Sequence, residues 1–254
     1  WPAQIPGGRV IDDMISFVDL APTFLDAAVV EHPGPHPMAG ASLLGILKSG
    51  RQGLVDRSRT AVLASRERHA SARYKNFGYP QRVIRTHDYL YLRNYEPDFW
   101  PAGQPRAYEF DGTLRPMHGA YDDIDGSPSK SLLVEGREDP AITPFFEMAV
   151  GKRPEEELYD VREDPGCIRN LVEDPEFAAI RRELRSRLES SLADKDDPRM
   201  VGDGYVFHTY RRMVRGNRFP DRMIQTLHLR RQSCLRHVSV TAGSFRPEVE
   251  LTSI

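Results

Sequence analysis

Two short alternating segments constrain the fold of this chain more than anything else in it. Arg82-Val83-Ile84-Arg85-Thr86 and Tyr89-Leu90-Tyr91-Leu92-Arg93 mix charged side chains with β-branched, aliphatic and aromatic ones. Such residues form half-buried strands, because successive side chains leave a strand on opposite faces. His87-Asp88 between them is short and polar, which predicts an antiparallel hairpin. Gly78-Tyr79-Pro80 forces a turn ahead of it, since proline fixes its own φ and restricts the residue before it. The helix expected to cover this sheet starts at Asp174-Pro175, with Asp174 as cap and Pro175 in the first turn. Phe177, Ile180, Leu184, Leu188 and Leu192 then recur on one face, and Glu183 and Arg187 are spaced to pair on the other. In the expected packing, Val83 and either Leu90 or Leu92 meet the helix Pro175–Ala193.

Upstream, the apolar run Ala61–Ala64 reads as a strand that ends in Arg66-Glu67-Arg68-His69. Four ionisable groups leaving a strand end can line a pocket rim or form a solvated loop. Earlier still, Val10–Val18 reads as a short strand entering a helix, with Asp19 at the cap and Pro22 in the first turn. Leu20, Phe24, Leu25 and Ala28 fall on one face of that helix, and the proline-rich stretch Glu31–Met38 ends it. Ser42 caps a second short helix that carries Leu43, Leu44, Ile46 and Leu47, and Gly50 stops it. Glu96–Glu156 is broken by prolines into a long excursion of loops and short helices, of the kind that is usually functional or disordered. Its most polar point, Asp122-Asp123-Ile124-Asp125-Gly126, lacks the late glutamate of a calcium-binding EF-hand loop. Adjacent carboxylates on a strand point to opposite faces, so Asp12-Asp13 is a poor metal pair as well. Glu157–Asp160 reads as a further strand and Asp164-Pro165-Gly166 as a turn.

At 254 residues and 39% hydrophobic content, the chain can bury a core as one domain or two small ones. No apolar run approaches the roughly 20 residues that span a bilayer, so no membrane partner is expected. Cys167 and Cys234 stand in no CxxC or Cys/His ligand spacing, which leaves the compartment open. The net charge of −2 hides an asymmetry: residues 205–254 hold nine Lys/Arg against three Asp/Glu, leaving 26 basic and 34 acidic residues elsewhere. Tyr205–Val238 contains eight arginines and one acid, Asp221, and could contact a polyanion or form a loosely ordered extension. No nucleic-acid-binding motif accompanies these arginines, so nucleic acid is not an expected partner. The chain opens on Trp rather than Met, with no signal-peptide pattern, and is read as a fragment.

Several stretches, in order, resemble the C-terminal region of the sulfatases, especially the bacterial heparan N-sulfatase (N-sulfoglucosamine sulfohydrolase-like) branch. Gly78-Tyr79-Pro80-Gln81-Arg82-Val83-Ile84-Arg85-Thr86 followed by Asp88-Tyr89-Leu90-Tyr91-Leu92-Arg93-Asn94 is the main one. Trp1-Pro2 resembles the end of the family's RWPG strand, Val18-Asp19-Leu20-Ala21-Pro22-Thr23 its VDLxPT, and Gly40-Ala41-Ser42-Leu43-Leu44 its GxSLL. Glu157-Leu158-Tyr159-Asp160 with Asp164-Pro165 and Asn170-Leu171 resembles ELYDLxxDPxExxNL. The resemblance spans roughly residues 1–204.

It implies an α/β fold: the tail end of a sulfatase-type (alkaline-phosphatase-like) α/β domain over residues 1–55, then a C-terminal α+β subdomain over residues 56–204. In that subdomain a small antiparallel sheet is packed by a helix, and residues 205–254 follow as a basic tail. By the same resemblance the function is hydrolysis of sulfate esters or N-sulfate groups of sulfated sugars, with this portion giving packing and substrate recognition. The family uses a formylglycine, made from Cys or Ser in a C/S-x-P-S/A-x-R context, and a calcium ion held by acidic residues. Cys167 precedes Ile-Arg-Asn and Cys234 precedes Leu-Arg-His, so neither fits, and no residue receives a catalytic or metal role. Calcium and formylglycine are expected in a preceding N-terminal catalytic domain, and this chain alone is expected to be inactive. The substrate-binding candidates are Arg68 and His69, with Tyr79 and Arg82 second. Arginine suits sulfate and carboxylate groups, and histidine can donate to a hydroxyl or a leaving group. Secretion or a periplasmic location is expected if the full-length protein carries a signal peptide. A sugar- or polyanion-binding module without enzymatic activity is the alternative. A metal hydrolase built on the Asp-rich loop finds no compact His/Asp set to support it.

Overall fold

The computed structural model describes residues 1–211 together with 218 and 219. Its centre is a four-stranded antiparallel meander: β1 (Val62–Arg66), β2 (Gln81–Arg85), β3 (Tyr89–Asn94) and β4 (Glu156–Asp160) in sequence order. The hairpin forms as expected, with Val83 opposite Leu92 and Ile84 opposite Tyr91. β4 joins β3 only after the long excursion, pairing Tyr91 with Leu158 and Arg93 with Glu156.

One helix, α5 (Ala178–Ala193), covers one face of this sheet. The Asp174 carboxylate accepts from the Glu176 N–H at 3.1 Å, and a 3-10 turn at Pro175–Phe177 leads into the helix. Leu184, Leu188 and Leu192 are buried against Ile84, Tyr91 and Leu158. The face that meets α5 therefore differs from the expected one: Ile84 and Tyr91 point inward, while Val83, Leu90 and Leu92 stay half-buried. Each face of β2 carries one arginine, Arg82 beside Ile84 and Arg85 beside Val83, so charge alone does not choose between them. Arg82 shares the face of Ile84, and its burial there is possible because Asp197, just beyond α5, meets its guanidinium at 2.8 Å. Further ion pairs fasten the helix to the sheet along the same face. Glu156 of β4 accepts from Arg181 and Arg185, both at 2.8 Å, and Arg93 of β3 donates to Glu189 at 3.0 Å. The i,i+4 pair on α5 is Arg185–Glu189, whereas Arg187 reaches across to the Thr60 hydroxyl.

Residues 1–55 contain α1 (Leu20–Ala28), entered through a 3-10 turn at Phe17–Asp19, and α2 (Leu44–Lys48). In place of the expected strand over Val10–Val18, Ile11 makes an isolated parallel bridge to Gly53. Asp13 supports that bridge by accepting from the Val55 and Asp56 N–H groups, so it works as a loop staple. Asp19 accepts from Ser16 N–H, Ala41 N–H and Arg59. Burial pushes its carboxyl up, but those three bonds together hold it below the usual carboxylate value. Ser42 stands before Leu43, the N-cap of α2, and takes the Leu44 N–H on its hydroxyl at 3.2 Å. The apolar face of α1 is not covered: Leu20 is 39% exposed and Phe24 67%, and Phe17 in the turn before it 90%.

The excursion between β3 and β4 carries α3 (Pro128–Glu135) and α4 (Thr143–Val150). Tyr121, Phe146, Val150 and Ala102 form its own small core, with Trp100 against it. Beyond α5, α6 (Pro198–Val201) and α7 (Val206–Thr209) return toward the start of β2, placing Phe207 over Arg82.

Leu184→Ala removes a side chain from the centre of the sheet–helix core and should cost about 2–5 kcal/mol in urea unfolding. A loss below about 1 kcal/mol would show that α5 does not bury this face.

Candidate functional site

The candidate side chains lie on or beside the loop that joins β1 to β2. This loop closes on itself at its neck, where the Tyr79 N–H donates to the Glu67 carbonyl at 2.7 Å. Gly78 makes the closure possible, because a Cβ there would collide with that same carbonyl. Inside the loop, Lys75 and Asn76 take positive φ, giving the tight reversal at its far end.

Two polar networks hold the loop. The first centres on Asp123, at the polar point of the excursion. Its carboxylate is 2% exposed and accepts from Arg66 at 2.7 Å and from Arg73 at 2.6 Å. Arg73 also donates to the Trp100 and Pro101 carbonyls, at 2.8 and 2.6 Å. Burial pulls the Arg73 guanidinium below its ordinary value, and Asp123 opposes that pull. The second network joins Glu67, Arg82, Asp197 and Arg199. Glu67 accepts from Arg82 at 2.8 Å and from Arg199 at 2.9 Å, while Asp197 takes the other edge of Arg82. Burial works against the charge on Arg82, but Asp197 and Glu67 outweigh it and hold the group above its ordinary value.

The four sequence candidates therefore sit in different settings. His69 has a side chain 70% exposed, with Nδ1 3.4 Å from Asp123 Oδ1. Arg68 is partly exposed beside it and donates to the Tyr210 carbonyl at 3.1 Å. Tyr79 is wholly buried, and the guanidiniums of Arg66 and Arg73 lie 5.8 and 5.6 Å from its ring centroid. Burial, with Glu157 nearby, raises its hydroxyl to about 12. Arg82 is an interior residue whose donors are spent on Glu67, Asp197 and the Gln81 carbonyl. The structure brings Arg68 and His69 together at the surface of the loop and places Tyr79 and Arg82 beneath it.

Sequence reasoning did not single out Arg73 or Asp123 as partners. Asp123 was visible as part of an acidic run, and its side chain faces the guanidiniums of Arg66 and Arg73 and the His69 ring. Among the described residues, no group of three or more His, Cys, Asp or Glu side chains is arranged to hold a metal ion. Cys167 is half-buried in a turn, and burial pushes its thiol up. The described residues do not fit a calcium ion or a formylglycine, and no chemical step is assigned to either. The basic stretch over residues 212–217 and 220–254, with Cys234 in it, lies outside the described residues. Among the described residues no helix is long and apolar enough to cross a membrane.

No family model matches the chain. It is similar in sequence to two ulvan-active sulfatases of Formosa agariphila. One is 28% identical over 193 residues, 76% of this chain and 27% of the relative. The other is 25% identical over 198 residues, 78% of this chain and 32% of the relative. Among solved structures it aligns with a protein in complex with its substrate D-glucosamine-2-N,6-O-disulfate, at 22% identity and a TM-score of 0.47. That alignment takes in 78% of this chain and 28% of the other. A 2-O GAG sulfatase aligns at 20% identity and a TM-score of 0.39, over 76% and 28% of the two chains. The chain is thus similar to sulfatases, and it spans only about 27–32% of the length of these curated relatives.

Arg82→Ala takes the guanidinium from Asp197 and leaves Glu67 with Arg199 alone. Breaking a buried pair on one side commonly costs about 3–5 kcal/mol, and a urea titration of this variant should show a loss of that order. A variant as stable as the parent would mean that Arg82 is not part of the fold's framework.

Proposed function

We propose that this chain is the C-terminal part of a sulfatase acting on sulfated sugars, and that it supplies substrate recognition and packing. On this reading residues 1–55 finish the large α/β domain and residues 56–204 form the C-terminal subdomain. A preceding domain brings the formylglycine and the calcium ion. The observation that carries the recognition role is the charge balance of the β1–β2 loop. Arg66 and Arg73 share one buried carboxylate, and Arg68 and the exposed His69 stand at the surface beside them. This surplus of positive charge suits an anionic sugar. Arginine meets sulfate oxygens with paired donors, and such bonds are stronger where water is partly excluded.

The uncovered face of α1 supports the same reading. Val10, Phe17, Phe24 and Val29 all show large apolar exposure in one segment. Exposed apolar surface of this kind marks a contact with another protein unit, here the preceding domain.

The 254-residue chain by itself should hydrolyse no sulfated saccharide, with or without added calcium. Turnover above a buffer control would contradict the assignment of the chemistry to another domain. In a longer protein that includes the preceding domain, Arg68→Ala should lower turnover at physiological salt much more than deletion of residues 220–254. Exposed charges are screened within about 8 Å at that ionic strength, so arginines acting through solvent contribute less. Loss of binding on deleting 220–254 at low salt, with no effect of Arg68→Ala, would favour a non-enzymatic polyanion-binding module.

A further inference from the structure

We propose that Asp123 is the positioning residue of this site, holding His69 through Nδ1 so that Nε2 is presented to the sulfated substrate. The proposal rests on the reading of His69 as substrate-facing, but the pairing is a property of this chain alone. Asp123 enters from the excursion, far from His69 in sequence, and its two oxygens are used differently. Oδ2 accepts from both Arg66 and Arg73. Oδ1 is buried without a hydrogen-bond partner and lies 3.4 Å from His69 Nδ1. A buried carboxylate oxygen is rarely left unused. An ionised carboxylate can only accept, so the contact requires that Nδ1 carry the hydrogen. In the neutral ring Nε2 then keeps its lone pair and can accept from a sugar hydroxyl. Once the ring is protonated, Nε2–H donates to a sulfate oxygen, with the carboxylate behind the imidazolium.

The separation is longer than a formed N–H···O bond. Bonds of this kind are often long in a free protein and tighten when substrate is present. The surroundings fix the carboxylate firmly. Arg73 is held by the Trp100 and Pro101 carbonyls, and Arg66 by Pro101 as well, so Asp123 cannot turn toward solvent without abandoning both. The imidazole, 70% exposed, is the partner that its surroundings do not enclose. The role is orientation of another side chain, and Asp123 itself does not touch substrate.

The ring tautomer tests this directly in the 254-residue chain. Nitrogen-15 correlation spectra report which ring nitrogen carries the proton, and the His69 signals are those lost in His69→Gln. The expected neutral form is the Nδ1–H tautomer, the minor one in free imidazole side chains. A dominant Nε2–H tautomer overturns the proposal and leaves the substrate-facing reading intact. In the longer protein, Asp123→Asn should lower kcat/KM at least tenfold, and by a clearly smaller factor once His69→Gln is present, the remaining loss being that of the loop which carries Arg68. Equal losses in both backgrounds would show that Asp123 acts through something other than His69, which also overturns the proposal. Undiminished turnover in His69→Gln, with an Nδ1–H ring, instead removes the reading beneath it. Should Asp123→Asn fail to fold, the tautomer in the parent chain still decides.

Discussion

One buried carboxylate, shared by two guanidiniums, is the constraint on which the β1–β2 loop depends. The loop buries Ala72 and Tyr79, but the guanidinium of Arg73 goes inside with them and needs a partner there. Asp123 supplies the missing anchor by accepting from Arg66 at the end of β1 and from Arg73 inside the loop. Charge-assisted bonds of this kind are strong when desolvated, and losing one partner leaves a buried charge unpaired. The excursion between β3 and β4 therefore helps to shape the candidate site. Its small core of Tyr121, Phe146 and Val150 gives Asp123 a fixed base from which to reach the loop.

Much of the architecture was legible in the residues. Alternation over Arg82–Thr86 and Tyr89–Arg93 declares strands, and the stripe Phe177–Leu192 declares the helix that covers them, because both patterns follow from backbone periodicity alone. The choice of face was not legible. Each face of β2 carries one arginine, Arg82 beside Ile84 and Arg85 beside Val83, so alternation alone does not say which face is buried. Asp197 and Glu67 make burial of Arg82 possible, and both arrive through folding, one from beyond α5 and one from the neck of the loop. The arrival of β4 beside β3 was hidden for a related reason. Glu156 and Glu157 look like surface residues until Arg181, Arg185, Asn94 and Tyr159 are seen to donate to them.

The site divides along the same line. Arg68 and His69 could be picked out because polar residues at a strand end commonly form a rim, and the structure leaves both accessible. Arg73 and Asp123 carried no local signal: one is an isolated arginine in a loop, the other one of several aspartates in a polar run. Their pairing is long-range and becomes visible only when the excursion folds back. The same pattern explains the apolar face of α1, which had the periodicity of a buried helix and yet remains exposed in this chain.

Asp123 and Arg73 act as one unit that poses the loop. A double-mutant cycle on the stability of the 254-residue chain addresses it most directly, using Arg73→Met, Asp123→Asn and the pair in urea titrations. Residues in one buried network couple by about 0.5–3 kcal/mol, whereas unconnected residues add. Coupling at the upper end of that range is expected, with the double variant much less destabilised than the two single losses together. Strict additivity would contradict it.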